Sequence, residues 1–171
     1  MNIKIIGPSI DSIEAKKRND RLAIYGKFLK DRHDNAVNST LKYEPKIGIT
    51  GPLLFNLEES YNTGINKTGI INKMCIPGKY HIYVYVTNSG NRYVGSSEDI
   101  KCRLYGHLCT SYEQIRSIII FVLEKYEDMV NLEKQMIKDL KPELNKGLYP
   151  GRSTMRSLNP NVCAKGQYRP I

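Results

Sequence analysis

The sequence lacks the features that assign a chain to several common classes. Its four cysteines form no C-x-x-C pair, which argues against a zinc ribbon and favours ordinary reduced thiols. The longest apolar run, Ile118 to Leu123, is far shorter than the roughly 20 residues that span a bilayer, so we expect no membrane partner. The N-terminus resembles neither a signal peptide nor a transit peptide. Either the protein stays where it is made, or its targeting signal is of another kind.

The charge balance is strongly basic. The 171 residues include 26 Lys and Arg against 17 Asp and Glu, a net charge of +9. Such a surplus favours a polyanionic partner, since each neutralised phosphate releases counterions. DNA and RNA both fit, and an anionic membrane surface would also attract the chain. Frequent Lys, Asn and Ile are typical of an AT-rich genome, such as that of an organelle (a mitochondrion, for example) or a phage.

The chain divides into three segments of different character. Residues 1–78 are basic and mixed, and they contain one predicted helix from Asp11 or Ser12 to about Leu29. Residues 79–147 carry sharp periodic patterns. Residues 148–171 form a basic, loop-rich tail in which no acidic side chain occurs. We therefore expect one folded domain between two basic extensions that are candidates for binding nucleic acid.

A β-hairpin opens the middle segment. From Tyr80 to Val86 apolar and other residues alternate with a period of two, which predicts a strand. The turn residues of 88–91 follow, and Arg92 to Gly95 returns as a second strand. Ser117 to Leu123 is β-branched and apolar, which predicts a buried third strand.

Two helices complete the predicted α+β fold, a small three-stranded antiparallel sheet flanked by helices. The first opens at Ser96, which forms a capping box with Asp99, and carries an apolar stripe on Ile100, Leu104 and Leu108. The second runs from about Asp128 to Leu140 and ends before a proline.

Polar residues are placed on these elements in a specific order. The hairpin carries the triplets His81-Ile82-Tyr83 and Tyr93-Val94-Gly95, and Arg103 and His107 follow on the first helix. Glu133 lies on the second helix, and the stretch Lys141-Pro142-Glu143-Leu144-Asn145 closes the segment. This pattern resembles the GIY-YIG nuclease superfamily over residues 79–147 of the chain.

The resemblance implies an endonuclease, similar to homing endonucleases, that hydrolyses DNA phosphodiester bonds. It implies that Tyr83 is the general base toward water, that Tyr93 and His107 help to position it, and that Asn145 ties the site together. A tyrosine with its ordinary pKa is a poor base at neutral pH, so Arg103 and a metal ion are expected to lower that pKa.

The chemistry of the remaining residues agrees with this interpretation. Glu133 borders the apolar face of its helix, where a carboxylate needs a partner. Mg²⁺ (or Mn²⁺) is such a partner, because it commonly uses one or two carboxylates with water and phosphate oxygens. Arg103 offers a planar guanidinium to the phosphate.

Two departures from the family pattern bear on whether the domain is active, and the basic extensions on both sides of it keep a second interpretation open. His81 stands where the family has glycine, and the connection from Leu108 to about Arg116 is short. The alternative is a nuclease-derived structural protein that binds nucleic acid, for example in an organelle ribosome or another ribonucleoprotein. The joint presence of Tyr83, Arg103 and Glu133 favours an enzyme.

Overall fold

The computed structural model describes residues 10–45, 49–57, 67–74, 76–110 and 114–145. The tail predicted for residues 148–171 lies outside the described residues. Within them, no helix is both long enough and apolar enough to cross a bilayer.

The centre of the fold is an antiparallel sheet of four strands in the described part of the chain. These are β1 (Thr50–Asn56), β2 (Tyr80–Thr87), β3 (Arg92–Ser97) and β4 (Ile115–Leu123), in the spatial order β1-β4-β2-β3. The predicted α+β class, the hairpin and the buried strand β4 are confirmed.

The prediction of only three strands was wrong by one. β1 precedes the segment with clear periodicity, and it pairs along β4 with a register shift between Thr50 and Leu53. Its sequence contains Gly51-Pro52, and its burial does not alternate cleanly. Proline is tolerated on an edge strand, where β1 lies, but it removes the pattern by which sequence identifies a strand.

Helices cover both faces of the sheet. They are α1 (Ile10–Leu41), α2 (Lys67–Lys73), α3 (Ile100–Thr110) and α4 (Tyr126–Leu140), and a short 3-10 turn follows at Glu143–Asn145. Because strand side chains alternate, Tyr83 and Tyr85 face α2 and α3, whereas Ile82, Val84 and Val86 face α1 and α4. The sheet separates these two apolar layers, so side chains on its two faces lie in different surroundings.

The start of α3 differs from the prediction. Ser96 does not cap the helix but belongs to β3, which continues to Ser97. The helix begins at Ile100, and the Asp99 carboxylate accepts a hydrogen bond of 3.0 Å from the backbone N–H of Cys102. Asp99 is therefore the N-cap, and the side chain of Ser96 is available for another role.

α1 continues 12 residues beyond the predicted end at Leu29 and is anchored by its last two turns. The buried residues of the helix begin at His33. Arg32 donates a hydrogen bond of 2.8 Å to the Asn91 side chain at the hairpin turn. Gly90 in that turn has φ +77°, and a Cβ there would lie 2.9 Å from the Arg32 carbonyl carbon. A glycine thus allows the helix to touch the hairpin.

Asn145 closes the free edge of β3. Its side-chain oxygen accepts a hydrogen bond of 2.8 Å from the Val94 N–H, and its amide nitrogen donates one of 2.8 Å to the Val94 carbonyl. The side chain is buried and satisfies both outward-facing backbone groups of Val94, as a further strand would do.

We expect Asn145→Ala to lower the free energy of unfolding by about 2–3 kcal/mol, since two buried backbone groups lose their partners. Urea denaturation at constant m-value measures the change. Asn131→Ala on the exposed face of α4 is the matched control and should change stability by less than about 0.5 kcal/mol. Equal stability of the two variants would contradict the assigned role of Asn145.

Candidate functional site

A buried tyrosine hydroxyl is the centre of the site. Tyr83 lies on the face of β2 that packs against α3, and its side chain is 0% exposed. The Arg103 Nε donates a hydrogen bond of 3.1 Å to this hydroxyl, and the His107 Nε2 lies 2.8 Å from it. Arg103 and His107 reach the same atom because residues four apart lie on one side of a helix.

The hydrogen bonds assign the protons. The Tyr83 oxygen accepts the Arg103 N–H, so its own proton is available to His107. We assign His107 the tautomer with its proton on Nδ1, which leaves Nε2 as the acceptor.

Two further tyrosines surround His107. The Tyr93 ring lies 4.9 Å from the imidazole and 6.1 Å from the Tyr83 ring, measured between centroids. Tyr85 stacks on Tyr93 at 5.0 Å with an interplanar angle of 14°. It also lies 5.2 Å from His107. These contacts fix the imidazole plane, since aromatic packing restricts side-chain rotation.

Gly95 makes room for the hydroxyl. It lies directly opposite Tyr83 in the hairpin register. A Cβ on Gly95 would lie 2.6 Å from the Tyr83 hydroxyl oxygen and 2.8 Å from the Tyr93 ring, too close for either to remain. The glycine is therefore required by the close approach of the two tyrosines.

Burial controls the proton affinity of this cluster. Burial raises the pKa of Tyr83 well above its ordinary value, and the neighbouring Tyr93 adds to this rise. Arg103 lowers the pKa of Tyr83 as expected, but by less than burial raises it, because the desolvation of a phenolate outweighs this one neighbouring cation. The lowering of this pKa expected from a metal ion stays a prediction. Burial lowers the pKa of Arg103, but Tyr83 and Tyr93 reverse this effect, so the guanidinium stays charged.

The same forces keep His107 neutral. Burial, followed by the positive charge of Arg103, lowers the pKa of His107 from 6.5 to about 4. At neutral pH its Nε2 therefore has a free lone pair that faces the Tyr83 proton.

Glu133 lies across β3 from this cluster. α4 packs against the opposite face of the sheet, and the Ser96 hydroxyl donates a hydrogen bond of 2.9 Å to the Glu133 Oε2. The carboxylate is only 7% exposed. Ser96 follows Gly95 in the chain, so the carboxylate and the Tyr83 hydroxyl approach the same short piece of edge strand from two sides.

A metal ion held at Glu133 would have few protein ligands. Among the residues that the structure describes, no group of three or more His, Cys, Asp or Glu side chains surrounds a common point. A single carboxylate with neighbouring hydroxyl and water is sufficient for Mg²⁺ when substrate phosphate oxygens complete its shell. Glu133 is therefore the residue that would hold a metal together with the substrate.

Four of the six predicted site residues form one cluster, namely Tyr83, Tyr93, Arg103 and His107. Glu133 lies on the other side of β3, and Asn145 supports the strand without facing the cluster. Sequence reasoning missed Tyr85 and Ser96 as members of the site. The sequence did indicate Tyr85, because it lies two residues after Tyr83 and therefore on the same face of the strand.

Comparison with known proteins identifies a family for the middle of the chain. A family model described as the GIY-YIG catalytic domain matches residues 79–147. No curated protein and no solved structure matches the chain. The matched segment includes all six predicted site residues, but it excludes α1, β1 and α2.

We expect the His107 imidazole to titrate near pH 4 in the folded protein, below the ordinary 6.5. NMR of the ring protons, assigned with His107→Gln, measures the midpoint. Arg103→Gln should raise it without restoring 6.5, because burial is the larger cause. Since the unfolded chain binds this proton first, the His107 contribution to stability should fall as pH drops from 6.5 toward 4. A wild-type midpoint near 6.5 would refute the assignment.

Proposed function

We propose, from the match of residues 79–147 to the GIY-YIG catalytic domain, that the chain is a metal-dependent endonuclease that hydrolyses DNA phosphodiester bonds. The observation that carries this proposal is the hydrogen-bonded set of Arg103, Tyr83 and His107, with Glu133 across the same edge strand. The module is accompanied by a long basic helix, an arrangement similar to homing endonucleases, in which cutting and recognition are separate.

Arg103 is the residue proposed to hold the scissile phosphate. Its side chain is exposed overall, while its Nε covers the buried Tyr83 hydroxyl. A planar guanidinium binds two phosphate oxygens at once, and it stabilises the charge that collects there in the transition state. When Arg103 turns toward the phosphate, it uncovers the hydroxyl, and the attacking water takes the vacated hydrogen bond.

Tyr83 and His107 act as a proton relay. Because its pKa is raised, Tyr83 is neutral before the reaction and does not act as a preformed phenolate. The water oxygen forms a bond to phosphorus while the bond from phosphorus to the leaving oxygen breaks. The water passes a proton to the Tyr83 oxygen, and the Tyr83 proton moves to the His107 Nε2. The imidazolium then releases its proton to solvent, which its low pKa favours. The leaving oxygen takes its proton from solvent.

Glu133 is the proposed metal ligand, with Ser96 holding the carboxylate in place. A divalent cation bound there would polarise the scissile phosphate as a Lewis acid. Glu133 is one of the buried residues of α4, together with Met129, Leu132 and Met136.

We expect Glu133→Gln to abolish Mg²⁺-dependent cutting of plasmid and genomic DNA and to keep the fold, because the amide preserves shape but not charge. The readout is the rate of supercoiled-plasmid relaxation, with circular dichroism as the check on folding. Glu127→Gln removes an exposed carboxylate from the same helix and should leave the rate unchanged. Equal cutting by Glu133→Gln and wild type would contradict the metal site.

The same cleavage assay distinguishes a nuclease from the alternative function. A wild-type chain that binds nucleic acid but cuts neither DNA nor RNA in Mg²⁺ or Mn²⁺ is a structural nucleic-acid-binding protein. Its co-purified nucleic acid would then identify the partner.

We expect Arg103→Ala to lower the rate by a factor that corresponds to about 2.7–4 kcal/mol of transition-state stabilisation, by analogy with the loss of one oxyanion donor. Arg103→Lys should restore little, because an ammonium does not bind two oxygens in one plane. Lys101→Ala on the same helix, an exposed cation, is the control. A fall of less than about tenfold for Arg103→Ala would count against its role.

A further inference from the structure

A long part of α1 projects from the domain. Every residue from Ser12 to Phe28 is exposed, and burial begins only at His33. We call residues 12–30 the arm. The arm leaves the domain at the hairpin turn, where the hydrogen bond from Arg32 to Asn91 fixes it. At 1.5 Å per residue it is on the order of 30 Å long.

The arm is strongly basic. Its residues 12–30 contain two acidic side chains, Glu14 and Asp20, against six basic ones: Lys16, Lys17, Arg18, Arg21, Lys27 and Lys30. A free helix with this surplus repels a second copy of itself and attracts a polyanion.

Basic residues interrupt the apolar side of the arm. Ile24 and Tyr25 are 71% and 60% exposed, and Leu22 and Phe28 are also more than half exposed. At 100° per residue these four lie within an arc of about 160°. Three basic residues fall inside the same arc, namely Lys17, Arg18 and Arg21. A partner helix needs one continuous apolar face, so this distribution argues against a coiled coil.

A groove lined by phosphates fits both observations. The B-DNA major groove admits an α-helix, and phosphates flank it on both sides. Basic side chains on all sides of the helix then contact phosphates on both flanks of the groove, while apolar side chains contact sugars and thymine methyl groups. The major groove of an RNA duplex is too deep and narrow to admit a helix in this way.

We infer that the arm of α1 is a second DNA-binding element, which lies in the major groove of duplex DNA beside the segment that the site engages. That the polyanion is DNA rests on the proposed function. An arm on the order of 30 Å spans about nine base-pair steps. It emerges at the turn of the hairpin, whereas Tyr83 and Gly95 lie farther along the strands. The arm would therefore contact base pairs outside the cleavage point.

The test measures binding of the full chain to a labelled duplex of about 30 base pairs, by fluorescence anisotropy between about 50 and 200 mM salt. EDTA is present, so no cutting occurs. The arm variant carries Lys17→Gln, Arg18→Gln and Arg21→Gln. The control variant carries Lys42→Gln, Lys125→Gln and Lys138→Gln, three exposed lysines outside the arm with the same loss of charge. Circular dichroism verifies that both variants keep their helices.

We expect the arm variant to bind at least about tenfold more weakly and to lower the slope of log affinity against log salt by about 2 to 3, since three phosphate contacts are lost. The control should change binding less than threefold. Equal weakening of both variants, tighter binding of single-stranded RNA than of duplex DNA, or a dimer that Ile24→Ser dissociates would each overturn the inference. A chain that binds through the arm and cuts nothing would refute the nuclease proposal alone.

Discussion

The single proton on the buried Tyr83 hydroxyl determines how this site is organised. The oxygen accepts the Arg103 N–H, so the proton is directed toward His107. Burial disfavours the phenolate, and the same burial together with the nearby cation disfavours the imidazolium. At neutral pH the cluster of Tyr83, Arg103 and His107 therefore has one charge, on Arg103.

The fold supplies this arrangement with few elements. The period of two on β2 directs Tyr83 and Tyr85 to one face, and the helical repeat on α3 brings Arg103 and His107 to the same side. The hairpin register places Gly95 opposite Tyr83, where no larger residue fits. Asn145 holds β3 at its outer edge, and Ser96 holds it on the face that α4 covers.

Sequence was informative where the signal is local. The alternation in β2, the apolar stripe on α3 and the position of Glu133 beside apolar residues all follow from short periodic patterns, and each was predicted. β1 was missed, because Gly51-Pro52 breaks its pattern and its pairing with β4 is long-range. The extent of burial at Tyr83, which outweighs the lowering of its pKa by Arg103, was not predicted. It depends on how completely distant residues exclude water from the hydroxyl, which spacing alone does not reveal.

The absence of a side chain at Gly95 determines how a substrate can approach. Between the Tyr83 hydroxyl and the Glu133 carboxylate there is little more than the backbone of β3, which is the outermost strand. In the proposed function, a phosphate that touches both would arrive at the rim of the sheet, since a helix layer lies over each face. Asn145 already occupies this rim at Val94. The nucleic acid backbone would therefore reach β3 next to Asn145, where a fifth strand would block it.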